Sequence, residues 1–330
     1  DLRLLYLFGN FLNGPIPPEL GQLGKIEDLV LENNQLTGNI PQELGMCSSL
    51  KTLSLGNNFL DGELPAALGN LTELVTLVLS NNALTGSIPS SLGSLAKLGV
   101  LDLRRNQFGG SLPASLGQLS SLREFYVQNN RLSGTIPASM GNLIQMNHFW
   151  VFDNDFTGEV PDLRAAPLAS FRIEDNRFSG IPDYSTVQTW GNSFPFGLII
   201  TGNAFTFEDL LPLKKIHPRF YYDFDPQDPV AIDSLQLINE GSQYIVQTFV
   251  DPGITENNYK WFKDTSLVFI SNRNTYEILQ SSEADEGYYS GRITHPEISN
   301  FEIRIAPFRL VVYDPLRCDK PLAGERCDSA

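Results

Sequence analysis

The stretch Leu79-Ser80-Asn81-Asn82-Ala83-Leu84-Thr85-Gly86-Ser87-Ile88-Pro89-Ser90-Ser91-Leu92-Gly93 decides the fold. Its paired Asn, its glycines and its Pro break any long helix, while its spaced Leu and Ile are too apolar for a loop. The same mixture recurs along the chain. The second Asn falls at Asn10, Asn34, Asn58, Asn82, Asn106, Asn130 and Asn154, each 24 residues after the last. The interval then becomes 22 residues, to Asn176, and 27, to Asn203. Around each Asn the spelling is L-x-L-x-x-N-x-L-x-G-x-I-P-x-x-L-G-x-L, as in LVLENNQLTGNIPQELG (29–45) and LDLRRNQFGGSLPASLG (101–117).

A 24-residue period with this spelling is that of a leucine-rich repeat. The L-x-L segment reads as a short strand whose Leu pair points inward while the residues between them point out. The Asn sits where the chain leaves the strand, and a buried carboxamide there can satisfy backbone groups of neighbouring turns. Asn34, Asn58, Asn82, Asn106, Asn130 and Asn154 therefore predict a stacked ladder. Gly permits the bend that follows, and Pro fixes the backbone beyond it. No single coil can bury its own Leu set, so the coils must stack and share one elongated core.

The L-x-G-x-I-P segment resembles the plant-specific class of leucine-rich repeats, found in plant receptor-kinase ectodomains, in polygalacturonase inhibitors and in some bacterial surface proteins. The resemblance covers roughly residues 1–210. It implies a second short strand at G-x-I-P, a twisted solenoid, and binding of peptides, proteins or glycans on the concave or lateral face. The predicted fold is thus an α/β-type leucine-rich repeat solenoid, mostly parallel β with short 3-10 or helical turns, of about nine coils over residues 1–216. The chain opens inside a repeat, so the cap that covers a first coil is missing from it.

Beyond Asn203 the texture changes. Residues 217–229, rich in Pro, Asp and aromatics, read as a linker. Over 230–315 the period becomes two, and segments such as QYIVQTFV, YKWFKD, SLVFIS and FEIRIAPFRLVVYD read as strands of an all-β sandwich. NYKWFKD and SSEADEGYYSG resemble an immunoglobulin-like domain. The resemblance makes Trp261 the core tryptophan, and Asp285 and Tyr289 the acid and tyrosine of the D-x-G-x-Y corner. The family's bridging cysteines would fall near Thr248 and Gly291, neither of which is Cys, so this sandwich is expected to hold by packing alone. Residues 316–330 form a tail in which Cys318 and Cys327 suit a local disulfide. Its ending, Cys327-Asp328-Ser329-Ala330, is also how a cap of a further repeat array would begin. Cys47 reads as a buried small apolar residue.

Thirty-eight acidic against 23 basic residues leave a net charge of −15, which argues against nucleic acid and against an anionic membrane surface. No apolar run is long enough to span a bilayer, so no direct membrane insertion is expected. The tail disulfide favours an oxidising, extracellular setting, secreted or on the cell surface. There is one glycosylation sequon, Asn70-Leu71-Thr72. The three histidines, His148, His217 and His295, lie in no HExxH spelling, and neither a G-x-S-x-G elbow nor a Walker loop occurs. The reading is of a non-enzyme without cofactor or metal. Asp223, Asp225 and Asp228 read as a solvated acidic linker rather than a Ca²⁺ loop, and Asp153, Glu174 and Asp175 as acids balanced by Arg172 rather than a cation site.

The informative residues are those that face out. Four before each Asn the concave column reads Tyr6, Val30, Ser54, Val78, Asp102, Tyr126, Trp150, Arg172 and Ile199, and two before it Phe8, Glu32, Gly56, Ser80, Arg104, Gln128, Phe152, Glu174 and Thr201. Members of a column lie ~4.8 Å from their neighbours. From the fifth coil on, the face carries Arg104, Tyr126, Gln128, His148, Trp150, Phe152 and Arg172, and these are the candidate ligand-binding residues. The expected function is recognition of an extracellular protein, peptide or polysaccharide. A structural spacer of a multidomain surface adhesin, carrying further leucine-rich repeat or immunoglobulin-like modules, and an inhibitor of a cell-wall-degrading glycosidase are the alternatives. Ice binding wants flat, regular ranks of Thr or Asn, and the concave columns are too varied for it.

Overall fold

The computed structural model describes residues 1–184, 187, 197–206, 209–210, 221–223, 235–239, 241–247, 254 and 256–313. It divides into two compact units, Asp1–Phe205 with Pro212–Phe224, and Thr206–Leu211 with Asp225–Ala330.

The first unit is a solenoid. Each coil contributes one three-residue strand to a ten-stranded parallel sheet, beginning with Leu4–Tyr6 and Asp28–Val30. The register places equivalent residues side by side, so that Leu53 faces Leu77 and Leu77 faces Leu101. The inward Leu residues are sealed, Leu53, Leu77 and Leu101 at 0 % exposure. In later coils aromatic rings take their place, and Phe125, Phe149 and Phe171 form a spine with centroids 5.6 and 5.7 Å apart. Shorter parallel ladders on another face include Gln35–Asn39 and Phe59–Asp61 early on, and Arg131–Gly134 and Asp155–Glu159 later.

The Asn column forms the ladder that its period predicts. Asn106 Nδ2 donates to the carbonyls of Leu79 in the previous coil (3.0 Å) and Leu103 in its own (3.1 Å), and its Oδ1 accepts the Leu84 N–H (3.1 Å). Asn34, Asn58, Asn82, Asn130 and Asn154 repeat this pattern. Asn10 is exposed and, among the described residues, its side chain bonds within its own coil, to the Leu7 and Phe8 carbonyls.

Between the sheets each of the first six coils crosses the back in a 3-10 turn, such as Ser90–Ser94, entered from Pro89 at φ −64°. The Gly of the P-x-x-L-G spelling has a role there that the pattern did not reveal. A Cβ on Gly93 would lie 2.4 Å from the Ser115 carbonyl oxygen of the next coil, so glycine here sets how closely two turns approach rather than how sharply one bends.

The sheet continues into the stretch that reads as a linker. Tyr221–Asp223 pairs with Gly197–Ile199, as Ile199 does with Arg172, and so adds a tenth strand inside residues 217–229. Pro and Asp flank this short strand and hide it from a reading based on composition. Asp225 and Asp228, and the Cys318–Cys327 pairing, lie outside the described residues. Cys47 is buried, its thiol pointing to the Leu20 carbonyl at 3.4 Å.

The second unit contains a five-stranded sheet ordered Leu235–Asn239, Ile298–Tyr313, Gly287–His295, Asn258–Lys263, Ser266–Ser271, and an antiparallel pair, Tyr244–Gln247 with Thr275–Ile278. Trp261 is fully buried near Tyr276. The Tyr289 hydroxyl donates to the Asp285 carbonyl at 2.7 Å, while Asp285 and Ser282 close a capping box. Gly291 faces Trp261 across the sheet, and a Cβ there would meet Ile305 at 2.4 Å.

Removing a ladder carboxamide leaves a buried N–H and several carbonyls without partners. Asn106→Ala is expected to cost about 3 kcal/mol, while Asn10→Ala stays within ~0.5 kcal/mol. Gly93→Ala is expected to cost roughly 2 kcal/mol through forced separation of two turns. Urea unfolding of the three variants checks the order, which fails if Asn10→Ala costs as much as Asn106→Ala.

Candidate functional site

The outward residues of four neighbouring strands form a grid, because strand alternation fixes rows and parallel register fixes columns. Val100–Asp102 leads to Arg104, Glu124–Tyr126 to Gln128, His148–Trp150 to Phe152, and Ser170–Arg172 to Glu174. Tyr126 pairs in register with Trp150, and Trp150 with Arg172, so Trp150 holds the centre.

The grid holds itself together. Tyr126 and Trp150 meet edge to face with centroids 5.0 Å apart, and Phe152 lies 6.2 Å from Trp150. Trp150 Nε1 donates to the Ser170 hydroxyl at 2.9 Å. Two guanidinium groups close the aromatic cluster from either end: Arg104 sits over Tyr126 at 5.5 Å, Arg172 over Phe152 at 4.1 Å and Trp150 at 5.4 Å. Each is anchored by a carboxylate two residues away in its own coil. Arg104 Nε lies 3.2 Å from Asp102, and Arg172 Nε donates to Glu174 at 2.7 Å.

Both carboxylates are only 4 % exposed. Burial raises the pKa of each above its ordinary value. For Asp102 the opposing influences are Arg104, its backbone N–H and the Ser80 hydroxyl; for Glu174 they are a backbone N–H and Arg172. Desolvation outweighs the ion pair in both. Burial, followed by the charge of Glu124, pushes the Tyr126 phenol upward, so it stays a neutral donor.

All seven residues singled out in the sequence fall on this face, but not equally to the surface. Tyr126, His148, Trp150, Phe152, Arg104 and Arg172 are half-buried. Gln128, expected to face out, is 2 % exposed and forms part of the floor. Three buried polar atoms of this face lack a hydrogen-bond partner among the described residues: Gln128 Oε1, His148 Nδ1 and Glu174 Oε2. Glu174, Asp175 and Asp153 do not gather; Glu174 is buried against Arg172 while the other two are exposed. Among the described residues no group of His, Cys, Asp or Glu has metal-site geometry.

Beside the cluster opens a hollow of about 310 Å³, lined by Arg104, Arg105, Gln128, Trp150, Phe152 and Arg172, with Asn81 and Asn129. Arg105, Asn81 and Asn129 lie one residue before the ladder Asn, outside both concave columns. Their left-handed backbone, φ 53 to 57°, accompanies the turn off the strand. Conformation, not alternation, brings them to the hollow.

Residues 2–183 match the model of a family described as a leucine-rich repeat region. No curated protein matches the chain. Among solved structures it is similar to the Arabidopsis receptor kinase HAESA in complex with the peptide hormone IDA and the co-receptor SERK1: 29 % identity, 68 % of this chain, 43 % of that one, TM-score 0.58. It is similar to the plant peptide hormone receptor RGFR1 in complex with RGF2: 28 % identity, 68 % and 40 % of the two chains, TM-score 0.57. A plant ice-binding protein is similar at 26 % identity, 69 % and 74 % of the two chains, TM-score 0.55. The chain spans about two fifths of the length of the two receptors.

Because the folded pKa of Glu174 is raised, the fold binds this proton more tightly than the unfolded chain does. The corresponding stability is present at low pH and is lost as pH rises through the raised pKa. Glu174→Gln lacks this dependence. Its stability relative to wild type is expected to be more favourable at pH 7 than at pH 4, by urea unfolding at both. A flat or inverted difference contradicts the assignment.

Proposed function

We propose that this chain, which belongs to the leucine-rich repeat region family, is a recognition module working outside the cell or on its surface. Its concave face takes a protein, peptide or glycan ligand and carries out no turnover. One observation carries this reading: the aromatic, arginine-flanked hollow of the fifth to eighth coils, beside early coils whose same columns hold Ser54, Val78 and Ser80, the two serines buried. Half-buried rings with fixed guanidinium groups are the surface type that interface centres use.

Two similar structures add support: HAESA and RGFR1 are receptors described in complex with peptide hormones. Backbone groups of the inner concave strands are consumed by the parallel ladder, so a ligand there must be held by side chains. The second unit we read as an immunoglobulin-like sandwich, supported by buried Trp261 and by the Tyr289–Asp285 bond, and as a module that displays the solenoid.

The test is an array of glycans, peptides and secreted proteins probed in parallel with wild type and Trp150→Ala. Full burial of an aromatic is worth about 2 kcal/mol, so the variant is expected to lose roughly thirtyfold in affinity for the retained ligand. Identical binding profiles for the two proteins contradict the concave site.

A further inference from the structure

The position before the ladder Asn runs Gly9, Asn33, Asn57, Asn81, Arg105, Asn129, Asp153, Asp175, Gly202 through nine coils, with φ between 52 and 67° in all of them. Eight of these are Gly, Asn or Asp, the residues that tolerate left-handed backbone best. The fifth is Arg. A long side chain with a Cβ gains nothing locally from this conformation, and strain of this kind is held where the side chain has a use. Arg105 is exposed, and it lines the hollow with Arg104, Gln128, Trp150, Phe152 and Arg172.

The charges around it differ in kind. Arg104 and Arg172 are matched by Asp102 and Glu174 beneath them. Among the described residues no carboxylate pairs with Arg105, and the exposed Asp153, two coils on, accepts from Asn129. The hollow therefore presents one unmatched cation in a chain whose net charge is −15. In its floor, Gln128 Oε1 has no hydrogen-bond partner among the described residues.

Resting on the recognition reading above, we infer that the hollow binds an acidic saccharide residue, its carboxylate or sulfate on Arg105, its hydroxyls toward Gln128 and its C–H face against Trp150 and Phe152. One such ring brings the anion, the donors and the apolar face together within a space of this size. An acidic peptide supplies them only from separate residues, and the sheet leaves no backbone group free to align its main chain.

The substitution that tests this is Arg105→Asn, the residue that four of the other eight coils place here. The full chain and the variant are measured by calorimetry against uronate hexasaccharides, the same hexasaccharides with carboxylates reduced to alcohols, sulfated hexasaccharides and hexaglutamate. Wild type is expected to bind the uronate or the sulfated sugar, weakening with salt, and not the reduced one. The variant is expected to lose about tenfold or more, ~1.4 kcal/mol, with a melting temperature no lower than wild type. Equal binding of the reduced sugar, unchanged binding or a lowered melting temperature of the variant, binding of hexaglutamate alone, or binding of no probe overturns the assignment. If an array ligand still depends on Trp150 while every sugar fails, the acidic-saccharide assignment falls and the recognition reading stands.

Discussion

No coil of this solenoid can satisfy its own backbone. The turn after each concave strand leaves an N–H and carbonyls pointing into an interior without water, and a carboxamide donated across the coil boundary answers them. This requirement fixes the distance and register of neighbouring coils. Asn10, by contrast, is exposed and donates to the Leu7 and Phe8 carbonyls of its own coil. Glycine imposes the matching constraint on the other side, where the Gly93 backbone lies against the Ser115 carbonyl. Between amide ladder and glycine ladder, the coils are clamped at both edges.

A clamped frame leaves the outward residues free to vary, since none of them is needed to hold the stack. In the second to fourth coils the two outward columns are small or aliphatic apart from Glu32; in the fifth to eighth they become a network. Asp102 and Glu174 hold Arg104 and Arg172 against Tyr126, Trp150 and Phe152. Burial works against the charge of these carboxylates more strongly than the arginines favour it. What they contribute is position: a guanidinium fixed from below and stacked from the side loses little freedom when a ligand arrives.

The sequence made the ladder, the Leu interior and the concave columns legible because each depends on period alone. Four features were not legible, each for a physical reason. The L-G glycine could be read as a bend until the next turn was seen against it. Tyr221–Asp223 is too short, and too closely flanked by breakers, to announce a strand. Gln128 lies in an outward column, yet it is buried in the floor of the hollow, because alternation gives direction without depth. Arg105 belongs to no outward column, because its direction follows from a left-handed φ of 53°. The signal was nevertheless present as one Arg in a column of Gly, Asn and Asp, visible only when the column before the ladder is read as closely as those on the face.

A repeat array distributes its stability over many nearly equivalent interfaces, so local losses are carried by the neighbours. The fifth coil concentrates such losses. It holds a buried carboxylate at Asp102, a left-handed Arg at position 105, and Phe108 where most other coils have Leu. In a single-core domain these features would compete for one small margin of stability. Here the carboxamide of Asn106 and the ladders on both sides of the coil hold the backbone regardless. Specialisation of the face is therefore confined to a few coils, and the period that makes the fold readable also makes departures from it interpretable.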